Sequence, residues 1–217
     1  MAATPRGAGG RPRSAQRAAA PLTERRADAR RNIASILDAA VLLLSRDADA
    51  SVADIAKAAG VGRVTLYGHF STRADLVDAV LTRTAEQADA TLDTIDMAGD
   101  PRQALTRLVG ASWQIVHQFR SVLQAAQHEL PAERIRAVHD RILRRIQTII
   151  DRGRRAGVFR DDLPEEWLVT VVFSLMHAAA EDSAAGKLDT GDAARIIAAT
   201  LLAALSAPGA TTPAVSS

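Results

Sequence analysis

Apolar residues recur at three- and four-residue spacing along most of the chain, the signature of amphipathic helices. Ile33, Ile36, Leu37, Ala40, Val41 and Leu44 form one stripe between about Arg25 and Ser45, ended by the acidic loop Asp47-Ala48-Asp49. Ser51 offers an N-cap, with Asp54 three residues on as a variant capping box, and Val52, Ile55 and Ala59 predict the buried edge of a second helix. Gly60 falls where a residue of positive φ must end that helix, and Val61 turns inward after it. A third helix from Arg63 to about Phe70 has only Leu66 and Phe70 as anchors. Thr72 and Asp75 cap a fourth, expected to run to about Met97 before Gly99-Asp100-Pro101 breaks it.

Beyond Pro101 the chain reads as helical nearly to its end. Leu105, Leu108, Val109, Ser112, Val116, Phe119 and Leu123 share a face between Arg102 and about Glu129. Pro131 separates this helix from the stripe Ile135, Val138, Ile142, Ile146 and Ile149, expected as one helix closing at Gly157, with Val158 and Phe159 packing back onto it. Pro164 opens a helix to about Ala185 that is apolar almost all round, and a last helix spans Asp192 to Leu205. An all-round apolar helix must be covered on both sides. Its partner AARIIAATLLAAL alternates Ile and Leu with Ala, permitting close approach on two faces. One set of faces then serves the core and the other a second copy, in a four-helix bundle across a two-fold axis; Val172, Leu175, Ala179, Ile197, Leu201 and Ala204 are the interface candidates. A monomer with thick internal packing is the alternative.

The 217 residues contain no Cys, which excludes disulfides and thiolate metal sites and fits a reducing cytoplasm. The longest apolar run, Leu168 to Ala180, is too short and too interrupted by Thr170, Ser174 and His177 to span a bilayer, so no membrane association is expected. Charge is unevenly placed: residues 1–75 hold 12 Lys and Arg against 7 Asp and Glu, the remainder 15 against 18. A basic front end on a mildly acidic body suggests that the front end meets a polyanion. Residues 1–24, with Arg6, Arg11, Arg13 and Arg17 and almost no large apolar side chain, are expected to be a flexible arm, serving either DNA or solubility alone. The final residues, 207–217, read as a loose tail.

The stretch IAKAAGVGRVTLYGHFSTRADL, Ile55 to Leu76, resembles the helix-turn-helix of the TetR family of transcriptional repressors, patterned I-A-x-x-A-G-V-s-x-x-T-L-Y-x-H-F-x-s-K-x-x-L. Gly62 stands where a Ser cap is common, Arg73 replaces the usual Lys, and the loop before Ser51 is about two residues short. The resemblance implies an all-α chain of about nine helices: a three-helix DNA-binding domain over 25–75, then a helical ligand-binding and dimerisation bundle over 76–206. It also implies a double-stranded operator, a homodimer and an unknown small-molecule effector as partners, with neither cofactor nor metal.

Arg63, at the start of the recognition helix, suits the bidentate contact with guanine, and Thr65 suits a phosphate or a thymine methyl. Tyr67 and His69 resemble the family's phosphate contacts; Arg73 at the start of the fourth helix suits another phosphate. Ser51, Val52, Gly62 and Val64 complete the expected DNA-facing set. Trp113 and His117, one helical turn apart, with Phe173, Met176 and His177 from a later helix, are candidates for an apolar effector pocket with polar handles. His117, His128 and His139 recur at eleven-residue intervals, yet Pro131 interrupts any shared helix and no carboxylate completes a ligand set. The run Arg141, Arg144, Arg145, Arg152, Arg154, Arg155 reads mostly as the solvated back of an amphipathic helix. No nucleophile with a base, phosphate-cradling Gly loop or carboxylate pair is evident, so a regulator is expected over a helical enzyme. An architectural DNA binder without an effector is the other alternative.

Overall fold

The computed structural model describes residues 22–208, so residues 1–21 of the expected arm and most of the tail lie outside the described residues, while residues 22–24 already belong to the first helix. Among the described residues there are nine helices: α1 Leu22–Leu44, α2 Val52–Ala58, α3 Arg63–His69, α4 Arg73–Leu92, α5 Pro101–Glu129, α6 Ala132–Val138, α7 Asp140–Arg155, α8 Glu165–Ala184 and α9 Thr190–Leu205. No strand forms among them; one isolated antiparallel bridge joins Phe159 to Ser206. None of the described helices is long and apolar enough to cross a membrane.

Two hydrophobic cores organise the chain. The first joins Ile36, Ala40 and Leu44 of α1 to Val52 and Ile55 of α2, Leu66 of α3, and Leu76, Val77, Val80 and Leu81 of α4. Val122, Ala125 and Ala126 near the end of α5 also belong to it, so the packing boundary runs along α4 and across α5. The second core gathers α5, α7, α8 and α9 around Trp113, Ile149, Phe159, Ile197 and Leu201.

Local signals set most helix ends. Ser51 Oγ accepts from the Asp54 amide at 3.1 Å, Gly60 takes φ +69°, and Thr72 and Asp75 form a complete capping box. Gly62 starts α3 with no side-chain cap. Gly157, at φ +67°, ends the turn that lets Val158 and Phe159 donate back to the Gly153 carbonyl at 2.9 and 3.1 Å.

Two element boundaries differ from the sequence reading. Helix α4 stops at Leu92 rather than near Met97, because tertiary donors satisfy the carbonyls of the segment that follows. Arg107 donates to the Asp96 and Ala98 carbonyls, both at 2.7 Å, and Arg152 to those of Met97 and Gly99. The stripe expected as one helix after Pro131 is two, broken at His139 (φ −87°, ψ 1°). Arg134 binds Asp78 of α4 through Nε and Nη2 at 2.6 and 2.9 Å, holding α6 there, while α7 follows α8 in another direction. The basic run of α7 is likewise less solvent-directed than expected: Arg145 and Arg141 both pair with the buried Asp89 carboxylate, and Arg154 donates to the Arg160 and Leu163 carbonyls. A buried carboxylate between two guanidiniums keeps its charge compensated.

Candidate functional site

The short helix α3 is held by one face. Leu66 is fully buried and Phe70 nearly so, while Arg63, Val64, Thr65, Tyr67 and Gly68 are exposed, Val64 at 88%. His69 is half-buried. Among the described residues no side-chain hydrogen bond or ion pair engages Arg63, so its guanidinium remains available to an outside acceptor. Ser51 and Gly62, the residues before α2 and α3, are both exposed. The Ser51 hydroxyl is already committed to its own helix, donating to Asp54 Oδ2 at 2.6 Å.

Two DNA-facing expectations are corrected. Val52 is buried in the first core, so its side chain serves packing. Arg73 turns inward: Nε donates to Glu129 Oε1 at 2.9 Å, and its two terminal nitrogens donate to the Ala50 and Ala48 carbonyls at 2.6 and 2.7 Å. A guanidinium with three internal acceptors fastens the loop before α2 to α4 and α5. The short loop and the Lys-to-Arg departure in the motif find one explanation here, since only a forked side chain spans two carbonyls and a carboxylate.

A cavity of ≈ 90 Å³ opens between α4, α5, α7 and α8, lined largely by apolar side chains such as Leu81, Leu108, Val116 and Ile142. Phe173, Met176 and His177 line it as expected. Trp113 and His117 do not. Trp113 is buried beside the α9 terminus, its indole Nε1 donating to the Thr190 carbonyl at 3.2 Å, and His117 packs against it with ring centroids 5.4 Å apart. The helical face carrying both points away from the cavity, toward α8 and α9. His139 was not expected there and lines the cavity with Thr84, Ser112 and Arg120. Its ring meets Phe173 edge-on at 5.3 Å, and Phe173 lies 4.2 Å from the His177 ring. The helix break at His139 puts its side chain there, a signal no spacing rule carries.

Four of the six expected dimer residues are already covered within the single chain. Val172, Ala179, Ile197 and Leu201 are buried within the single chain, Val172 lining the cavity; Leu175 and Ala204 are half-buried. The uncovered faces of α8 and α9 carry instead Trp167 (56% exposed), Ser174 and Ala178, with Ile196 and Ala203. Periodicity identified two apolar faces on each helix without telling which turns inward.

Residues 36–80, which contain the α2–α3 pair, match the model of the bacterial regulatory proteins of the tetR family. The chain is 31% identical over 154 residues to the HTH-type transcriptional repressor LfrR of Mycolicibacterium smegmatis, covering 68% of this chain and 76% of that one. The solved structure of LfrR from Mycobacterium smegmatis in complex with proflavine is 26% identical, with a TM-score of 0.63 over 79% of this chain and 94% of that one. The fold also matches the FadR regulator of Bacillus subtilis in complex with stearoyl-CoA, at 17% identity and a TM-score of 0.66 over 80% of this chain and 99% of that one. With a relative of this identity and coverage, and with the family's motif standing on an outward helix, the chain belongs to the TetR family and is a transcriptional regulator.

Proposed function

We propose that this regulator is a repressor that binds a palindromic operator as a homodimer and is released from it by a small molecule. The observation that carries the reading is the pairing of an outward α3, with Arg63 unengaged, and an apolar cavity whose wall includes α4. Residues 25–75 serve as the DNA-binding unit and 76–206 as the sensing and dimerising body. Ser51, Gly62, Arg63, Val64, Thr65, Tyr67 and His69 form the DNA-facing set. In it Arg63 reads a base edge, and Val64, the most exposed apolar side chain, suits a thymine methyl.

Dimerisation covers Trp167, Ser174 and Ala178 of α8 with Ile196 and Ala203 of α9, large side chains facing small ones across a two-fold axis. Leu81 supports a coupling path, since it belongs to the first core and also lines the cavity. A ligand that displaces that wall shifts α4 and with it α3. The two recognition helices then no longer match successive major grooves, ~34 Å apart. Release requires that the ligand bind the two states unequally. That LfrR has been crystallised with proflavine, and FadR with stearoyl-CoA, supports an effector for this cavity without naming it. The regulator acts in the cytoplasm, where its operator lies.

Selection of bound duplexes from a random pool tests the reading. Recovery of a two-half-site palindrome, bound by two chains and with steep salt dependence, is the expected result. Indifference to every duplex at low salt would end it.

A further inference from the structure

The polar equipment of the cavity is one-sided. His139 Nδ1 lies 2.8 Å from the Ile135 carbonyl and His177 Nδ1 2.8 Å from the Phe173 carbonyl. A carbonyl only accepts, so each Nδ1 carries the hydrogen, and in the neutral ring Nε2 is left as a bare acceptor. Among the described residues no protein group bonds either Nε2. Thr84, also in the lining, donates its hydroxyl to the Leu81 carbonyl at 3.0 Å, so its oxygen too is left to accept. Among the described residues no carboxylate lines the cavity, and the one charged side chain there, Arg120, already faces Glu181 at 3.7 Å. The His139 and His177 ring centroids are 6.3 Å apart and both rings pack against Phe173, so the two imidazoles belong to one part of the lining.

We infer that the cavity takes a neutral, mainly apolar molecule whose polar end is a hydroxyl-type donor, received by the His139 and His177 imidazoles. This rests on the reading of the cavity as the effector site and adds the class of effector. An organic cation finds no counter-charge in the lining and shares it with Arg120. A carboxylate meets two acceptors and must take Arg120 from Glu181. A phenol or alcohol donates its one hydrogen to one of the bare nitrogens and leaves its hydrocarbon part to the aliphatic wall. Donor-poor analogues are rejected because each imidazole loses its water without gaining a partner.

Calorimetric titration of the full chain with four probes tests this: 4-hexylphenol, its methyl ether 4-hexylanisole, octanoate and proflavine. The phenol should bind best, exceeding its ether by about three- to tenfold for the one hydrogen bond it donates. His139→Phe and His177→Phe should each narrow the gap between phenol and ether, and the double variant should abolish it; His177→Gln, which keeps an acceptor, should retain part. Equal binding of phenol and ether by the wild-type chain, or preference for octanoate or proflavine, overturns the inference while leaving the cavity an effector site. Failure of all four probes to bind a chain that still recognises its operator overturns both.

Discussion

Arg73 Nε and Glu129 Oε1 lie 2.9 Å apart, joining the first residue of α4 to the last of α5. The same guanidinium holds the Ala48 and Ala50 carbonyls, so one side chain closes the loop before α2 against both. Its charge is three-quarters shielded from water, which makes the pair stronger than a fully exposed one. Arg73→Ala should therefore lower the stability of the DNA-free protein by about 1–2 kcal/mol, and Glu129→Gln by less. Thermal melts check this directly. A variant with unchanged melting but a salt dependence of DNA binding reduced by about one ion would restore Arg73 as a phosphate contact.

Arg63 makes the opposite prediction. Its side chain is exposed and meets no protein partner among the described residues, so Arg63→Ala should leave the melting temperature unchanged. Operator discrimination should fall by about 1–3 kcal/mol at one position in each half-site. Competition binding with singly substituted duplexes reads that position. A uniform loss over all sequences would reassign Arg63 to the phosphate backbone.

Gly153 and Phe159 define a packing limit in the body. A Cβ built on Gly153 would lie 2.0 Å from Phe159 Cδ2, and Phe159 is itself 2% exposed, with no space into which to retreat. Gly153→Ala is expected to cost about 2–3 kcal/mol despite the better helix propensity of Ala. Phe159→Leu in the same chain should recover part of that loss, giving a double-mutant cycle with clear coupling. Strict additivity of the two changes in urea denaturation would count against the contact.

Acid sensitivity follows from the cavity histidines. Burial lowers the pKa of both His139 and His177 from the ordinary 6.5; backbone acceptors partly oppose it, and His139 lowers His177 further by charge repulsion. Below 6.5 the unfolded chain takes up protons that the folded chain still refuses, so stability is full above that pH and falls as pH drops toward the folded values. The melting temperature should decline as pH falls below the ordinary histidine value of 6.5, and His139→Phe with His177→Phe should shrink the decline. An unaltered pH profile in the double variant would show that other groups carry it.

Trp167 tests the assembly. It stands 56% exposed on α8, where the proposed dimer would cover it. Trp167→Glu should convert a dimer to a monomer in sedimentation while leaving the far-ultraviolet spectrum of the helices intact. The same change should weaken operator binding steeply, because each half-site would then be held alone. A dimer that survives it lies elsewhere on the molecule.

Local chemistry made the front of the molecule readable: Ser51, Gly60, Thr72 with Asp75, and the anchors Leu66 and Phe70 act within a few residues of one another, and their geometry follows from hydrogen-bond and steric rules. The outward α3 and the family motif were legible for that reason. What sequence order alone could not decide depends on contacts between distant residues. The end of α4 depends on arginines 11 and 55 positions from the carbonyls they satisfy, and the inward turn of Arg73 on a carboxylate 56 residues away. The choice of cavity over Trp113 and His117, the arrival of His139 in it, and the uncovered face of α8 follow from how helices rotate when two cores are packed together. Helical periodicity specifies that a face is apolar, whereas only close packing of the whole chain selects what that face meets.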